Sequence, residues 1–218
     1  MWKNSYLLLA LAMAGCVDNT PGLQLFNAWV PDAECVVDTG GPSIYSGSLD
    51  LSTSSRFLMG FSVQSSLVNT PIEVNDRPVS GSTGDDNAIY ISEIEVEYDE
   101  DREGLSLASE SYPAYFVVQS GSDGTTLVVD LAGPGAIQVL QDSLGVGESV
   151  LVNARLKVVG ETTNGGSVES NEVNYPIEFY KSGFSCPTGT VIARTGPCGT
   201  PGGQNGQATC VDPNAPAP

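Results

Sequence analysis

The sequence predicts an all-β protein with two parts. The first is a two-layer β-sandwich, and the second is a C-terminal appendage that is cross-linked by disulfides. Through residues 43–181 apolar residues recur at every second position, and polar turns are short. No segment there shows a convincing amphipathic helical pattern. Beyond residue 181 the composition changes to Gly, Pro, Thr and Cys. An immunoglobulin-like sandwich is the best fold-level analogy, although the Cys-Trp-Cys core pattern of antibody domains is absent, and a jelly roll is the alternative.

The first two predicted strands have apolar residues that alternate with small or polar ones. This alternation is typical of strands that bury one face and expose the other. The second strand is the more regular of the two. The apolar positions are Tyr45, Leu49 and Leu51 in the first strand and Phe57, Met59, Phe61 and Val63 in the second.

The third predicted strand changes phase along its length. Ile94 and Val96 fall on one face, and the glutamates between them fall on the other, so one side of this strand is exposed to water. Ile89 and Ile91 are in the opposite phase. Either the strand begins buried on both faces, or a β-bulge near Ser92 resets the register.

The last predicted pair of strands has the clearest alternation in the chain. The sequence Thr-Asn-Gly-Gly at residues 163–166 predicts the turn between them, because Asn and Gly tolerate positive φ. Pro176 has no backbone N–H, so it predicts an edge position or a bulge in the second strand. Three shorter strands are predicted earlier, at residues 115–119, 125–131 and 136–140. The inward residues of the pair are Val150, Val152, Ala154, Leu156 and Val158 on one strand and Val173, Tyr175, Ile177 and Phe179 on the other.

Residues 1–16 have the three parts of an export signal. Lys3 gives a positive start, residues 6–14 are an unbroken apolar run, and a small-residue cleavage region ends on Cys16. The pattern resembles that of bacterial lipoproteins, in which the Cys of a Leu-x-(Gly/Ala)-Cys box is lipidated and becomes the new N-terminus. Met13 stands where that class usually has Leu. The resemblance implies lipid attachment at Cys16 and a membrane as the first partner.

The destination follows from the same residues. The apolar run is about half as long as the roughly 20 residues that cross a bilayer, so a membrane span is not expected. An ordinary secretory signal, with Cys16 removed or left as a free thiol, is the alternative. In the class that the signal resembles, Asp directly after the lipidated Cys favours the inner membrane. Here Val17 follows, which predicts a location in the cell envelope, anchored to the outer membrane.

These patterns divide the chain into four parts. The apolar residues Leu23, Leu25, Phe26 and Trp29 predict that the far end of the tether lies against the sandwich. The predicted parts are a signal peptide (residues 1–15), the lipidated Cys and tether (16–42), the β-sandwich (43–181) and the appendage (182–218).

The four remaining cysteines predict two disulfides. Cys35 precedes the first strand of the sandwich, and Cys186, Cys198 and Cys210 are evenly spaced in the appendage. An even number of thiols in an exported chain is typical of a disulfide framework, with three pairings open. A zinc site is not favoured, because the sequence has no CxxC pair and no His.

A short predicted hairpin in the appendage favours one of the three pairings. Its arms are residues 190–193 and 207–209, with Pro, Gly and Asn concentrated between them. Such a hairpin brings Cys186 and Cys210 near its open end and carries Cys198 to its tip. Cys198 would then pair with the remaining cysteine, Cys35, which precedes the sandwich. The favoured pairs are therefore Cys186 with Cys210 and Cys198 with Cys35.

The charge balance excludes one class of partner. The chain has 26 acidic and 8 basic residues, a net charge of −18. Such an excess argues against binding to nucleic acid or to anionic lipid headgroups, since both carry negative charge. A solvated, self-repelling surface is the favoured interpretation of the acidity, ahead of cation binding.

One acidic stretch matches part of the calcium-loop pattern D-x-[DN]-x-[DN]-G-x5-E. The glutamate at the fifth position is a longer arm than that loop normally accepts, and the flanking segments look like strands, not helices. A solvated acidic turn is therefore the favoured interpretation, and no cofactor is predicted. The residues at the ligand positions are Asp99, Asp101, Glu103 and Glu110.

Catalysis is constrained by the absence of His from the whole sequence. Without His, the Ser-His-Asp triad and His-ligated metal sites are unavailable, which leaves paired carboxylates as the remaining acid-base chemistry. The expected function is therefore non-catalytic: a binding or structural role in the envelope, with an envelope protein or polysaccharide as partner. The alternatives are a carbohydrate-active β-sandwich enzyme that uses paired carboxylates and a calcium-dependent adhesive module.

Overall fold

The computed structural model describes residues 21–68, 87–121 and 124–214, together with the backbone of two short strands at 73–74 and 77–78. The predicted signal, including Cys16, lies outside the described residues. The elements are, in chain order, β1 (Leu23–Trp29), β2 (Gly47–Asp50), β3 (Leu58–Ser65), β4 (Glu73–Val74), β5 (Arg77–Pro78), β6 (Ile89–Glu100), β7 (Glu110–Val118), β8 (Thr125–Asp130), α1 (Pro134–Ser143), β9 (Ser149–Thr162), β10 (Ser167–Glu169), β11 (Val173–Tyr180), β12 (Val191–Ile192) and β13 (Cys210–Val211).

The protein is an all-β sandwich. A three-stranded sheet has the order β1-β3-β8, and a six-stranded sheet has the order β2-β11-β9-β6-β7, with β10 paired to the end of β9. All pairs are antiparallel except β11 with β2, which is parallel. Apolar side chains from the inner faces of both sheets form one continuous core, which confirms the predicted fold class.

The alternation in β6, β9 and β11 places side chains as the sequence predicts. The predicted inward residues of β9 are all buried, and the charged residues between them face outward. In β6 the register shifts between Ile91 and Glu93 against both neighbouring strands, so a β-bulge at Ser92 does reset the phase. Tyr45 is a correction, because it precedes β2 and its side chain is 68 % exposed.

Pro176 lies where β11 changes from an edge to an interior strand. It is opposite Asn153 of β9, and β2 pairs only with the four residues that follow, Ile177 to Tyr180. At Pro176 the edge of β11 that faces away from β9 therefore has no strand partner. The absence of an N–H at this position costs no hydrogen bond between strands.

Strand β1 is a difference from the sequence-based division, which put its residues in the tether. Leu23 and Leu25 are buried, and β1 pairs along its length with β3. The register shifts between Phe26 and Ala28, where Asn27 adopts a positive φ of 40°. This irregularity breaks the period-two pattern, so the sequence of β1 does not look like a strand.

The segment predicted as a strand at residues 136–140 is a helix, α1. Its buried side chains are Ala136, Ile137 and Leu140, a spacing that places them on one helical face. Pro134 occupies the first helical position, where its missing N–H costs nothing. The prediction of a strand was wrong because a short apolar run fits either element when its ends are not considered.

The appendage joins the edges of the two sheets through Gln204. The backbone on either side of Gln204 bonds to the outer edge of β2, with Asn205 donating to Ser48 and Asp50 donating to Gly203. The buried side-chain amide of Gln204 exchanges two hydrogen bonds with the backbone of Leu58, at 2.9 and 2.7 Å. This amide continues the ladder of β3 beyond the end of β1.

A second amide joins the sheets at the outer edge of β1. Asn171 lies between β10 and β11, and its side chain accepts a bond from the N–H of Leu25 at 2.7 Å and donates to its carbonyl at 3.1 Å. Ser170 forms an isolated bridge with Leu23 next to it. Side-chain amides thus form the hydrogen bonds of backbone N–H and C=O groups that have no partner strand.

Two disulfides hold the appendage, in the pairing that the predicted hairpin favours. Cys186 is bonded to Cys210, and Cys198 is bonded to Cys35. The arms of the hairpin differ from the prediction, because they are β12 and β13, so Cys210 lies within an arm.

Candidate functional site

The sandwich is open on the side opposite Gln204, between β7 and β8. Each of these strands is the last of its sheet, and within the described part of the chain neither has a second strand partner. Between them runs a groove of about 470 Å³. Its apolar lining comes from both sheets, from Ile94, Tyr112, Pro113 and Ala114 on one side and Leu127, Val128 and Val129 on the other.

A salt bridge forms the polar end of this groove. Arg56 Nε donates to Asp130 Oδ2 at 2.8 Å, and the Arg56 side chain is 55 % exposed. The other oxygen of Asp130 accepts bonds from the backbone N–H groups of Phe57 and Ala132. Asp130 is thus fixed by the residue before β3 and by the segment that leads into α1, and it holds the guanidinium of Arg56 at the groove. A second, smaller groove of about 330 Å³ continues past this pair along α1.

Glu110 ties the beginning of β7 to the N-terminus of α1. One carboxylate oxygen accepts from the N–H of Ala136 at 2.9 Å, and the other accepts from the hydroxyl of Tyr112 at 2.8 Å. The first turn of α1 has no acidic residue of its own, so Glu110 supplies the negative charge that complements the helix dipole. A Cβ at Gly133 would lie 2.1 Å from this carboxylate, so a side chain there does not fit.

Two tyrosines next to Glu110 stay neutral at ordinary pH. Tyr98 accepts a hydrogen bond from the N–H of Gly133, and burial raises its pKa to about 12. Burial and the hydrogen bond to Glu110 raise the pKa of Tyr112 well above its usual value. The Tyr112 side chain lines the groove, and its hydroxyl stays protonated and donates to Glu110 over the whole physiological range.

The carboxylates of Glu110 and Asp130, near the groove, already accept hydrogen bonds within the protein. Both oxygens of Glu110 and both oxygens of Asp130 accept hydrogen bonds from groups of the protein itself. Paired-carboxylate hydrolysis needs one carboxylic acid and one free carboxylate aimed at the scissile bond. This arrangement anchors a helix and an arginine, and it leaves the apolar groove with one exposed cation as the feature that a ligand can use.

The acidic residues that match part of the calcium-loop pattern make separate contacts. Asp99 pairs with Arg155, Asp101 accepts from the N–H of Leu151, and Glu110 is turned toward α1. Among the residues that the structure describes, no group of three or more potential metal ligands is close enough to hold an ion.

Calcium is expected to leave the thermal stability unchanged. We expect a melt in millimolar calcium to agree within about two degrees with a melt in chelator, because Asp99, Asp101 and Glu110 already bond within the protein. Asp101→Ala should give the same small difference. A clear stabilisation by calcium that Asp101→Ala removes would contradict this expectation.

The basic side chains are almost all neutralised. Lys157 lies between Glu95 and Glu169 on the outer face of the six-stranded sheet, and the hydrogen bond to Glu95 raises its pKa. Among the basic residues whose side chains the structure describes, all but Arg194 have such contacts. They are Arg56, Arg102, Arg155 and Lys157 in ion pairs and Lys181 at the last carbonyls of α1.

No protein-family model matches this sequence, and neither the curated proteins nor the solved structures include a significant match to it. In the part of the chain that the structure describes, no helix is long and apolar enough to cross a membrane.

The groove residues did not stand out in the sequence. Arg56 and Asp130 are 74 positions apart, and each looks like an ordinary surface charge beside a strand. One signal was present, because β7 alternates less cleanly than β9 and carries Pro113, which is typical of an edge strand.

Proposed function

We propose that this protein is a non-catalytic, lipid-anchored module of the cell envelope that binds a ligand in the groove between β7 and β8. The observation that carries the proposal is the groove itself: an apolar channel of about 470 Å³ with one exposed arginine at its end. Binding sites are commonly apolar clefts of this size with a few convergent polar groups.

The lining defines the chemistry of the ligand. Leu127 and Val129 are in one wall and Ala114 in the other, so the body of the ligand is apolar and narrow. The ion pair of Arg56 with Asp130 uses Nε, and the Arg56 side chain is 55 % exposed, so its terminal nitrogens would give an anionic group on the ligand a charge-assisted hydrogen bond. A polysaccharide is a poorer fit to such a lining.

The envelope location is supported by three features. The N-terminal sequence has the parts of a lipoprotein signal, the chain carries two disulfides, and the surface is strongly acidic. Disulfides persist mainly in oxidising compartments outside the cytosol. We propose the outer membrane as the destination, with Cys16 as the site of the lipid.

Cys16→Ser is expected to release the protein from the membrane fraction. Several acyl chains together anchor firmly, whereas the remaining acidic chain has no attraction for anionic lipid. The measurement is the distribution between membrane and supernatant after ultracentrifugation. Cys35→Ser is a matched control that removes a different cysteine, and it should stay with the membrane. Unchanged partition of Cys16→Ser would disprove the anchor.

The groove is expected to bind a fluorescent dye with an aromatic body and a sulfonate, such as anilinonaphthalene sulfonate. Ala114→Trp fills the groove, and Arg56→Gln removes the cation, so each should weaken dye binding by roughly tenfold or more. Leu151→Trp places the same side chain on the exposed outer face of β9 and is the matched control.

Titration of dye fluorescence against each variant gives the affinities. If the dye does not bind, or if Ala114→Trp and Leu151→Trp bind it equally, the groove is not the binding site. A melt of each variant, which should keep a cooperative transition, separates loss of the site from loss of the fold.

A further inference from the structure

We propose that an extended segment of a partner polypeptide completes the sandwich by pairing antiparallel with β7. Its inner side chains are apolar and fill the groove, and its outer side chains are basic. This inference rests on the proposed function, because it names the class of ligand for the same groove. Addition of a strand to an exposed sheet edge is a common way for proteins to bind polypeptides.

The edge of β7 is accessible for pairing. Among the described residues, β7 has no strand partner beyond β6, and its side chains Tyr115 and Val117 on the outer face of the sheet are 87 % and 38 % exposed. Pro113 has no N–H, and it limits continuous pairing to residues 114–118. An edge with one such interruption is protected against indiscriminate pairing but still offers backbone groups to a suitable segment.

The groove has the shape that an added strand would fill. In a strand alternate side chains point to the same face, so every second residue of the segment would enter the space beside Ala114. There it would contact Leu127 and Val129 of the opposite sheet. The inner face of β7 is only partly buried in this structure, and an added strand would cover it from the open side.

The negative charge of Glu93 favours basic side chains on the outer face of the segment. Glu93 lies opposite Pro113 on β6, its carboxylate accepts a bond from the hydroxyl of Ser111, and none of the ion pairs among the described residues involves it. An added strand would be separated from Glu93 by β7, so a long lysine or arginine side chain on its outer face would extend across β7 toward this negative charge. A second copy of this acidic chain would instead be repelled, since its net charge is −18.

The direction of the segment follows from Arg56. β7 begins at the end of the groove where Tyr112 and Arg56 lie, so an antiparallel segment ends there. Its terminal carboxylate, or an acidic side chain at that place, would then contact the Arg56 guanidinium.

The test is binding of a labelled peptide of about nine residues, the length of β7, with alternating valine and lysine and a free carboxyl terminus. Three controls are the peptide with glutamate in place of lysine, the peptide with alternate backbone nitrogens methylated, and the amidated peptide. We expect the first two controls to bind at least roughly tenfold more weakly, and the amidated one several-fold more weakly. Hydrogen exchange at residues 114–118 of the whole chain should slow when the peptide is bound.

Two variants with the same added charge locate the peptide. Ala114→Lys points a cation into the groove and should weaken binding at least roughly tenfold, whereas Leu151→Lys on the outer face of β9 should not. Equal binding of the methylated peptide, or equal effects of the two variants, would overturn strand addition. So would a dimer in sedimentation experiments that Ala114→Lys abolishes, because the occupant would then be a second copy. If the sulfonate dye fills the groove but no peptide binds, strand addition is wrong and the proposed function stands; if neither binds, both fail.

Discussion

Replacing Cys35 and Cys198 with serine is expected to lower the free energy of unfolding by about 5 kcal/mol. The two residues are 163 positions apart, so their disulfide closes most of the chain into a loop and restricts the unfolded state strongly. The bond also holds residues 30–41 against the appendage, where Cys198 N–H donates to Asp32 at 2.7 Å. Denaturant unfolding of the oxidised double variant against the natural protein measures the loss.

The second disulfide provides the control for this prediction. Cys186 and Cys210 are only 24 positions apart, and their replacement by serine is expected to cost about 3 kcal/mol. The order of the two losses is the decisive result. If the double variant at Cys186 and Cys210 is the less stable of the two, loop closure does not explain what the disulfides contribute.

Gln204→Leu is expected to lower the free energy of unfolding by about 3 kcal/mol. Leucine has a similar volume but no amide, so the N–H and the carbonyl of Leu58 would remain buried without partners. Each unsatisfied buried backbone group costs on the order of 1–3 kcal/mol. Chemical denaturation under the same oxidising conditions gives the value.

Gln207→Leu is the matched control, because Gln207 is in the same segment but exposed. We expect its effect to lie within about 0.5 kcal/mol of zero. Equal effects at the two positions would mean that the amide of Gln204 does not join the sheets, whatever its distance from Leu58.

The strands that the sequence predicted well are those with one solvent-exposed face. In β9 and β11 the inward residues follow period two without interruption, and in β6 the only interruption is the bulge at Ser92. Alternation depends on local residue spacing, so it survives in the sequence wherever one face contacts water. The fold class was therefore predictable from these strands alone.

The two elements that the sequence did not predict, β1 and α1, lack a regular hydrophobic periodicity. In β1 the positive φ of Asn27 shifts the phase, so Leu25 and Ala28 share a face although their spacing is odd. In α1 the three buried residues span less than two turns, which is too short for helical periodicity to stand out. In both, tertiary packing decides the conformation where local preference is weak.

The groove and the amide contacts were beyond prediction for a different reason. Leu58 and Gln204 are separated by 146 positions, and nothing near either one indicates the other. The opening between β7 and β8 depends on which strands end each sheet, and strand order is a property of the whole topology. A single sequence holds little information on such pairings.

The contact between Gln204 and Leu58 has a consequence for how the molecule reaches its native state. The ladder of β3 is not completed at Leu58 until a residue 146 positions further along the chain has reached it. High contact order of this kind slows folding, and the partly folded chain meanwhile exposes unpaired backbone groups of β3. Proteolytic removal of the appendage segment that contains Gln204 would expose the same backbone groups, so a cut in the appendage would act on a core strand of the sandwich.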